Sequence, residues 1–249
     1  MTDADLHFYF DPVCPFAWLT SKWVRKVIAQ RDYTVEWRLI SLRIVNESVD
    51  YEAHFPPEYQ ALHTAGLRML RVAAAARAAY GTDAVDRLQA AYGAHVFERP
   101  PAADGEQRPA IGSREHVAPA LADARLPEAL LDVLDDSSWD DEIRSETKAA
   151  RAMTGDDVGT PILHVDPPGG VAFFGPVISR MPSDEQSAEL WDHVLGLARF
   201  GGFAELKRSL REQPQLAVYG FAEGELGKVE DWHGGSRRRK EDRGKAAAG

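Results

Sequence analysis

The chain has a single cysteine in 249 residues, Cys14, set in Phe8-Tyr9-Phe10-Asp11-Pro12-Val13-Cys14-Pro15-Phe16-Ala17-Trp18. A thiolate can attack a disulfide or an electrophile, and it can also be displaced from a mixed disulfide. A second cysteine three places on would make a redox pair, but that place holds Ala17. The stretch runs from an aromatic segment, through Asp11-Pro12, into a helical pattern. Unpaired N–H groups at a helix start stabilise a thiolate, so the expectation for Cys14 is a lowered pKa. A fall from about 8.5 to about 6 would raise the thiolate share at pH 7 from roughly 3% to roughly 90%. Lower basicity takes back about thirteenfold of that, leaving a gain of about twofold in attack. The larger benefit is departure: a low-pKa sulfur leaves well from a mixed disulfide when an outside thiol attacks. The competing reading is that a lone cysteine is a small buried apolar group.

A second motif is Val158-Gly159-Thr160-Pro161. A proline opening a strand cannot donate to the sheet, and on residue statistics alone its peptide bond is expected to be trans, since only about 5–6% of X–Pro bonds in folded proteins are cis. Other chemistry is absent or weak. There is no His-Glu-x-x-His, no Gly-x-Ser-x-Gly and no phosphate-binding Walker loop, and Gly220, Gly224 and Gly227 do not make a dinucleotide fingerprint. The eight histidines show no metal-ligand spacing. Trp18 and Trp23 fall on the apolar stripe of a helix and read as core.

Several elements must position these residues. Residues 6–10 read as a buried strand, 15–31 as a helix and 35–40 as an alternating strand, which makes a βαβ-type unit with parallel pairing. From about residue 57 to 154 no strand pattern occurs. Helices are expected over 59–80, 83–97, 113–124, 128–134 and 140–153, with Ser138 and Asp141 at capping-box spacing before the last. Residues 161–165 and 171–174 read as an antiparallel hairpin around Asp166-Pro167-Pro168-Gly169-Gly170. A helix over 183–200 follows, and another is expected over 203–212. The order β-α-β, helical block, β-β-α predicts an α/β, thioredoxin-like mixed sheet with an inserted all-helical domain. The expected division is 1–52 and 157–213 for the two halves of the sheet domain, 53–156 for a helical lid, and 214–249 for an extension. Residues 236–249 carry six Lys/Arg and two Asp/Glu, about +4 locally, and are expected to lack fixed structure.

The chain is 44% hydrophobic with a net charge of −10. That supports a well-buried core and argues against broad contact with nucleic acid or anionic membrane. The acidic start, Met1-Thr2-Asp3-Ala4-Asp5, does not read as a secretory signal. No apolar run approaches a bilayer span. One cysteine cannot form an internal disulfide, and cytoplasmic location is the expectation.

The stretch Phe10-Asp11-Pro12-Val13-Cys14-Pro15 and the Gly-Thr-Pro at 159–161 resemble the DsbA-like branch of the thioredoxin superfamily. Ser41-Leu42-Arg43-Ile44-Val45-Asn46-Glu47, Phe174-Gly175-Pro176-Val177 and Phe203-Ala204-Glu205-Leu206-Lys207-Arg208 narrow the resemblance to the actinobacterial mycothiol-dependent nitroreductases. Together these stretches span residues 6 to about 212. The resemblance implies that Cys14 is the nucleophile and that Pro15 and Phe16 belong to its motif. It implies a cis Pro161 facing the thiol, with the Thr160 backbone pairing with a bound thiol or peptide. It implies that Asn46, Tyr59 and His95 lie near the site under the helical lid. The electron source would be a low-molecular-weight thiol, mycothiol, with no flavin and no metal. Partners would be that thiol and a small disulfide or electrophile, on a monomer or homodimer. Members commonly carry Cys-Pro-Trp-Cys; here Phe16 keeps an aromatic and Ala17 removes the resolving sulfur. Three functions fit: a one-cysteine thiol–disulfide oxidoreductase, a kappa-type thiol transferase or isomerase, and a non-catalytic domain that binds a thiol or a partner.

Overall fold

A computed structural model describes residues 4–208, 211–222 and 229–230. Four strands form one sheet in the order β2-β1-β3-β4. They are β1 (Leu6–Phe10), β2 (Val35–Leu39), β3 (Ile162–Val165) and β4 (Val171–Phe174). β1 runs parallel to β2, with Phe8 opposite Trp37, and antiparallel to β3, with Phe8 opposite Leu163. β3 and β4 form the antiparallel hairpin. This is a DsbA-like, mixed α/β arrangement.

Alternation sorts the side chains of β1 onto two faces. Leu6, Phe8 and Phe10 point into the main core, which includes Leu19, Trp23, Val24 and Val27 of α1 (Pro15–Ile28). Tyr9 points the other way, to a smaller cluster with Ile40, Ile162 and Ala150. Between β2 and β3 the chain is helical: α2 (Leu42–Val45), α3 (Tyr51–His54), α4 (Glu58–Tyr80), α5 (Thr82–Phe97), α6 (Arg114–Asp123) and α7 (Asp140–Thr154). α4 and α5 are separated by Gly81, whose φ of 82° a side chain would resist. α7 supplies Ala150 and so covers the second face of the sheet. Its Glu146, nearly buried, accepts from the Leu39 N–H at 2.7 Å and pairs with Arg38 and Arg77. The last helix of the inserted block is thus bonded to the sheet. α8 (Asp184–Arg199) returns to α1, where Trp191 meets Trp23 edge-on at 5.5 Å.

Three local expectations are corrected. Ser138 does not cap α7. It lies in a 3-10 turn, Ser137–Trp139, where its N–H donates to the Asp136 carboxylate at 3.0 Å. The capping box occurs instead at Ser183 and Gln186, before α8. No helix forms over 203–208; Phe203 anchors on Phe173 of β4 while Leu206 is 79% exposed, so no apolar stripe is available to bury. Arg211–Glu212 is a short strand, β5, paired with β6 (Val229–Glu230). The basic stretch 236–249 lies outside the described residues. The expected 3.6-residue helix over 128–134 is a 3-10 segment, Glu128–Val133.

Candidate active site

Cys14 is the N-cap of α1, with φ −88° and ψ 112°, and Pro15 occupies the first helical turn, where its missing N–H costs nothing. The Ala17 N–H donates to Cys14 Sγ at 3.4 Å, so the sulfur serves as the capping acceptor. The thiol in turn donates to the Thr160 carbonyl at 3.4 Å. The Thr160 hydroxyl is fixed by donating to the Tyr9 carbonyl at 3.0 Å. The Thr160–Pro161 bond is cis, correcting the expectation from residue statistics, which take no account of the contacts Thr160 makes across the sheet end.

The expected low thiol pKa is also corrected. Burial pushes the Cys14 thiol up to about 12, outweighing the Ala17 N–H, and the nearby Asp11 charge pushes the same way. Helix-end stabilisation is a local term; desolvation is set by what packs over the sulfur, and Cys14 is 6% exposed.

Asp11 is the residue that sequence reasoning undervalued. It is 2% exposed and pairs with no cation among the described residues. One carboxylate oxygen accepts from the Val13 N–H at 3.0 Å and the other from the Leu42 N–H at 2.7 Å. Burial pushes its carboxyl up to about 7. α4 seals it through Gly66, where a Cβ would stand 2.5 Å from Asp11 Oδ1. The available signal was an acid inside the apolar run between Phe10 and Val13. Gly93 acts similarly on the other side, letting α5 approach the Trp18 ring so closely that a Cβ would stand 1.9 Å from it. Asp11, Cys14, Ala17, Trp18, Gly93 and Phe97 border one recess.

The remaining predicted residues are distributed differently. Phe16 is buried beside the thiol's own turn, and Pro15 is half-buried. Asn46 ends α2, its side-chain amide donating to the Leu42 carbonyl at 2.8 Å. Tyr59 stacks on Phe55 at 5.7 Å and meets His63 edge-on. It shares with His63 and Gly66 the face of α4 turned to Asp11. His63 is buried, bonds the Tyr51 hydroxyl at 3.0 Å, and is held near 4 by burial and then by Arg43. His95 is not brought to the thiol. It lies about 200° around α5 from Gly93 and Phe97, and its ring pairs with Asp123 of α6 at 2.7 Å and with Arg99 at 2.8 Å. The ion pairs of α6 decide its direction, which a motif position cannot show. Among the described residues no group of three or more His, Cys, Asp or Glu could hold a metal ion, and no helix is long and apolar enough to cross a membrane.

Comparison with known proteins agrees with this architecture. A family model described as "Rv2466c-like: Mycothiol-dependent nitroreductase Rv2466c" matches residues 13–208. The uncharacterized protein Rv2286c of Mycobacterium tuberculosis (strain ATCC 25618 / H37Rv) is 32% identical over 211 residues, covering 84% of this chain and 82% of that protein. Among solved structures, the probable DsbA oxidoreductase SCO1869 from Streptomyces coelicolor aligns with a TM-score of 0.50 and 16% identity, covering 87% of this chain and 99% of that one, a likeness of fold. A match that takes in Cys14, the helical block and the Gly-Thr-Pro places the chain in the Rv2466c-like family, as a thiol–disulfide oxidoreductase on a DsbA-like thioredoxin fold.

Proposed function

We propose that the protein is a one-cysteine oxidoreductase that uses mycothiol, in the cytoplasm, to reduce small disulfides or electrophiles, nitro compounds among them. Cys14 attacks a disulfide sulfur, one thiol leaves, and a mixed disulfide forms on Sγ. A second thiol attacks that mixed disulfide and Cys14 departs. One such cycle exchanges a thiol for the one released and leaves a mixed disulfide; a second cycle on that mixed disulfide completes the two-electron, two-proton reduction and turns two thiols into one disulfide. The thiol is a substrate here, not a resident group. The observation that carries the reading is the Cys14 sulfur at the head of α1, within 3.4 Å of both the Ala17 N–H and the Thr160 carbonyl, with no second sulfur at position 17. The N–H supports charge on the sulfur as it leaves, and the carbonyl offers an acceptor edge to an incoming thiol. Tyr51, Phe55, Tyr59 and His63, with the Arg43 guanidinium 5.2 Å over the Tyr51 ring, present an aromatic wall on the Asp11 side for the body of the thiol.

Intact-protein mass spectrometry after incubation with oxidised mycothiol tests this. One mycothiol adduct per chain is expected, lost on adding thiol and missing in Cys14→Ser. An unmodified protein, or an adduct that persists in Cys14→Ser, refutes it. Oxidised glutathione run in parallel decides which thiol is preferred. A kappa-type transferase reading has one observation in its favour: the buried thiol is a hydrogen-bond donor to Thr160, and a neutral donor could orient a thiol substrate without bonding to it. Under that reading Cys14→Ser keeps its activity.

A further inference from the structure

We propose that Arg43 anchors the acidic group of the acceptor, so that the compound reduced at Cys14 is an arene carrying a carboxylate. This deepens the reading of Cys14 as the reacting thiol, and rests on it, by naming the class of its acceptor.

The first observation is an arginine without an acid. Arg38, Arg68, Arg71 and Arg77 each hold a carboxylate, while Arg43 has none within ion-pair distance among the described residues. The acids that follow it in the chain are engaged elsewhere. Glu47 takes the Arg144 guanidinium at 2.6 Å, and Asp50 accepts the Ala53 N–H at 3.1 Å as the cap of α3. Asp and Glu outnumber Lys and Arg by 39 to 29, so composition offered a partner and the fold withholds it. The Arg43 charge falls instead on neutral rings. Its guanidinium stands 5.2 Å over the Tyr51 ring, and after burial it is what keeps His63 from taking a proton.

The second observation is the shape of what surrounds that charge. Tyr51 is fixed by its 3.0 Å bond to His63, and Phe55 and Tyr59 stack with their planes 10° apart. Phe55 and Tyr59 are half-buried, so each keeps surface open to solvent. Flat aromatic surface beside a guanidinium suits a planar, negatively charged ring: the arene lies on the wall and the carboxylate meets the two-pronged donor. Thiol and acceptor use the site in successive half-reactions, so one wall serves both.

The third observation is position. Leu42, the residue before Arg43, donates its N–H to Asp11 at 2.7 Å and lies against Gly159, where a Cβ would stand 3.5 Å from Leu42 Cδ2. The next residue, Thr160, accepts the Cys14 thiol. On the other side, His63 shares a face of α4 with Gly66, which packs on Asp11 and Val13. The Cys14 N–H closes that turn onto the Asp11 carbonyl at 3.1 Å. By the reach of these links the Arg43 backbone stands on the order of 10 Å from Cys14, a span that an arginine side chain and a substituted benzoate cover between them.

Isothermal titration calorimetry of the full chain with para-nitrobenzoate and with para-nitrobenzamide, an uncharged ligand of the same shape, tests the anchor without thiol or turnover. The wild type is expected to hold the benzoate at least about tenfold more tightly, the worth of one charge-assisted hydrogen bond. Arg43→Gln should bring the two affinities together by weakening the benzoate alone. Arg43→Lys, which keeps the charge without the fork, should lie between. Hydrogen exchange with benzoate bound should slow in peptides covering residues 11–16 and 42–51. Equal affinities in the wild type, no binding of either compound at its solubility limit, a preference that survives Arg43→Gln, or slowing confined to other segments overturns the proposal. Should Arg43→Gln fail to fold, Arg43→Lys decides: a reduced preference supports the anchor and an unchanged one overturns it. A protein that forms the mycothiol adduct but shows no preference keeps the cycle and loses the anchor. One that shows the preference but forms no adduct loses the cycle and keeps the anion site.

Discussion

Replacing Ala17 with cysteine would supply the missing sulfur where the structure has already set its frame. Ala17 is 1% exposed, and its N–H points at Cys14 Sγ from 3.4 Å. Residues three apart on the first turn of a helix have Cα atoms roughly 5–6 Å apart, within disulfide reach. Both residues border one recess, together with Trp18, Gly93 and Phe97. The bridge would close a loop of about four residues, and the chain-entropy model gives about 2 kcal/mol of stabilisation for the oxidised form. For a protein of this length that corresponds to a rise in thermal midpoint of about 4–8 °C on oxidation. The same energy is about 40 mV in the potential of the pair. The kinetic effect should be larger. A held thiol competes with millimolar external thiol at a far higher effective concentration, so a mycothiol adduct on Cys14 should be cleared at least about 10³-fold faster. Mild oxidation followed by intact mass, with a stopped-flow assay of adduct release, measures both quantities. Loss of two hydrogens together with rapid release is expected. No internal disulfide would refute the helix-start geometry. A disulfide with unchanged adduct lifetime would refute the one-thiol cycle at its central step and favour the transferase reading.

Gly66→Ala should destabilise the fold by about 1–2 kcal/mol in urea unfolding: its methyl would stand 2.5 Å from an Asp11 oxygen that is already bonded to Val13, and such overpacking outweighs the helical gain over glycine of about 1 kcal/mol. His63 is held near 4 in the folded state, below its unfolded value of about 6.5. The unfolded chain therefore takes up the proton first, and stability falls as pH drops from about 6.5 to about 4, by up to about 3 kcal/mol. His63→Gln should flatten that slope by one proton in denaturation series across this window, and an unchanged slope would show that His63 is not kept neutral by burial. On binding a thiol ligand, hydrogen exchange should slow around Tyr51, Tyr59 and His63 and stay constant around His95, whose ring is turned to Asp123 and Arg99; equal exchange at Tyr59 with ligand shown to be bound would remove the lid role.

The order of elements was legible in the sequence because each carries its own local signal. β1 and β2 follow from short apolar runs, α1 from the spacing of Trp18, Leu19, Trp23, Val24 and Val27, and the β3–β4 hairpin from the Asp-Pro-Pro-Gly-Gly turn between two apolar stretches. The place of Cys14 at a strand-to-helix turn follows from the same patterns, since Pro15 can open a helix but not continue a strand. Where local signals were weak or shared, the reading failed. Ser138 and Ser183 both sit at capping-box spacing, yet only Ser183 is followed by a helix that starts at the next residue. Residues 203–208 have helical composition, but they form no helix, and Leu206 stays 79% exposed.

What the sequence determined by itself is therefore which reactive group exists, where in the chain it lies, and which elements flank it. Only the tertiary structure decided what state that group rests in. Helix-end stabilisation depends on residues 14 to 17 and can be read locally. Burial of the Cys14 turn depends on α4 packing on Asp11 and Val13 at Gly66 and on α5 packing on Trp18 at Gly93, some fifty and eighty residues away along the chain. The packing of α4 at Gly66 makes Asp11 a buried acid, and the pairing of His95 with Asp123 turns that histidine away from the site. Desolvation and side-chain direction are properties of what packs against a residue, and distant segments supply that packing, so no motif around the residue encodes them.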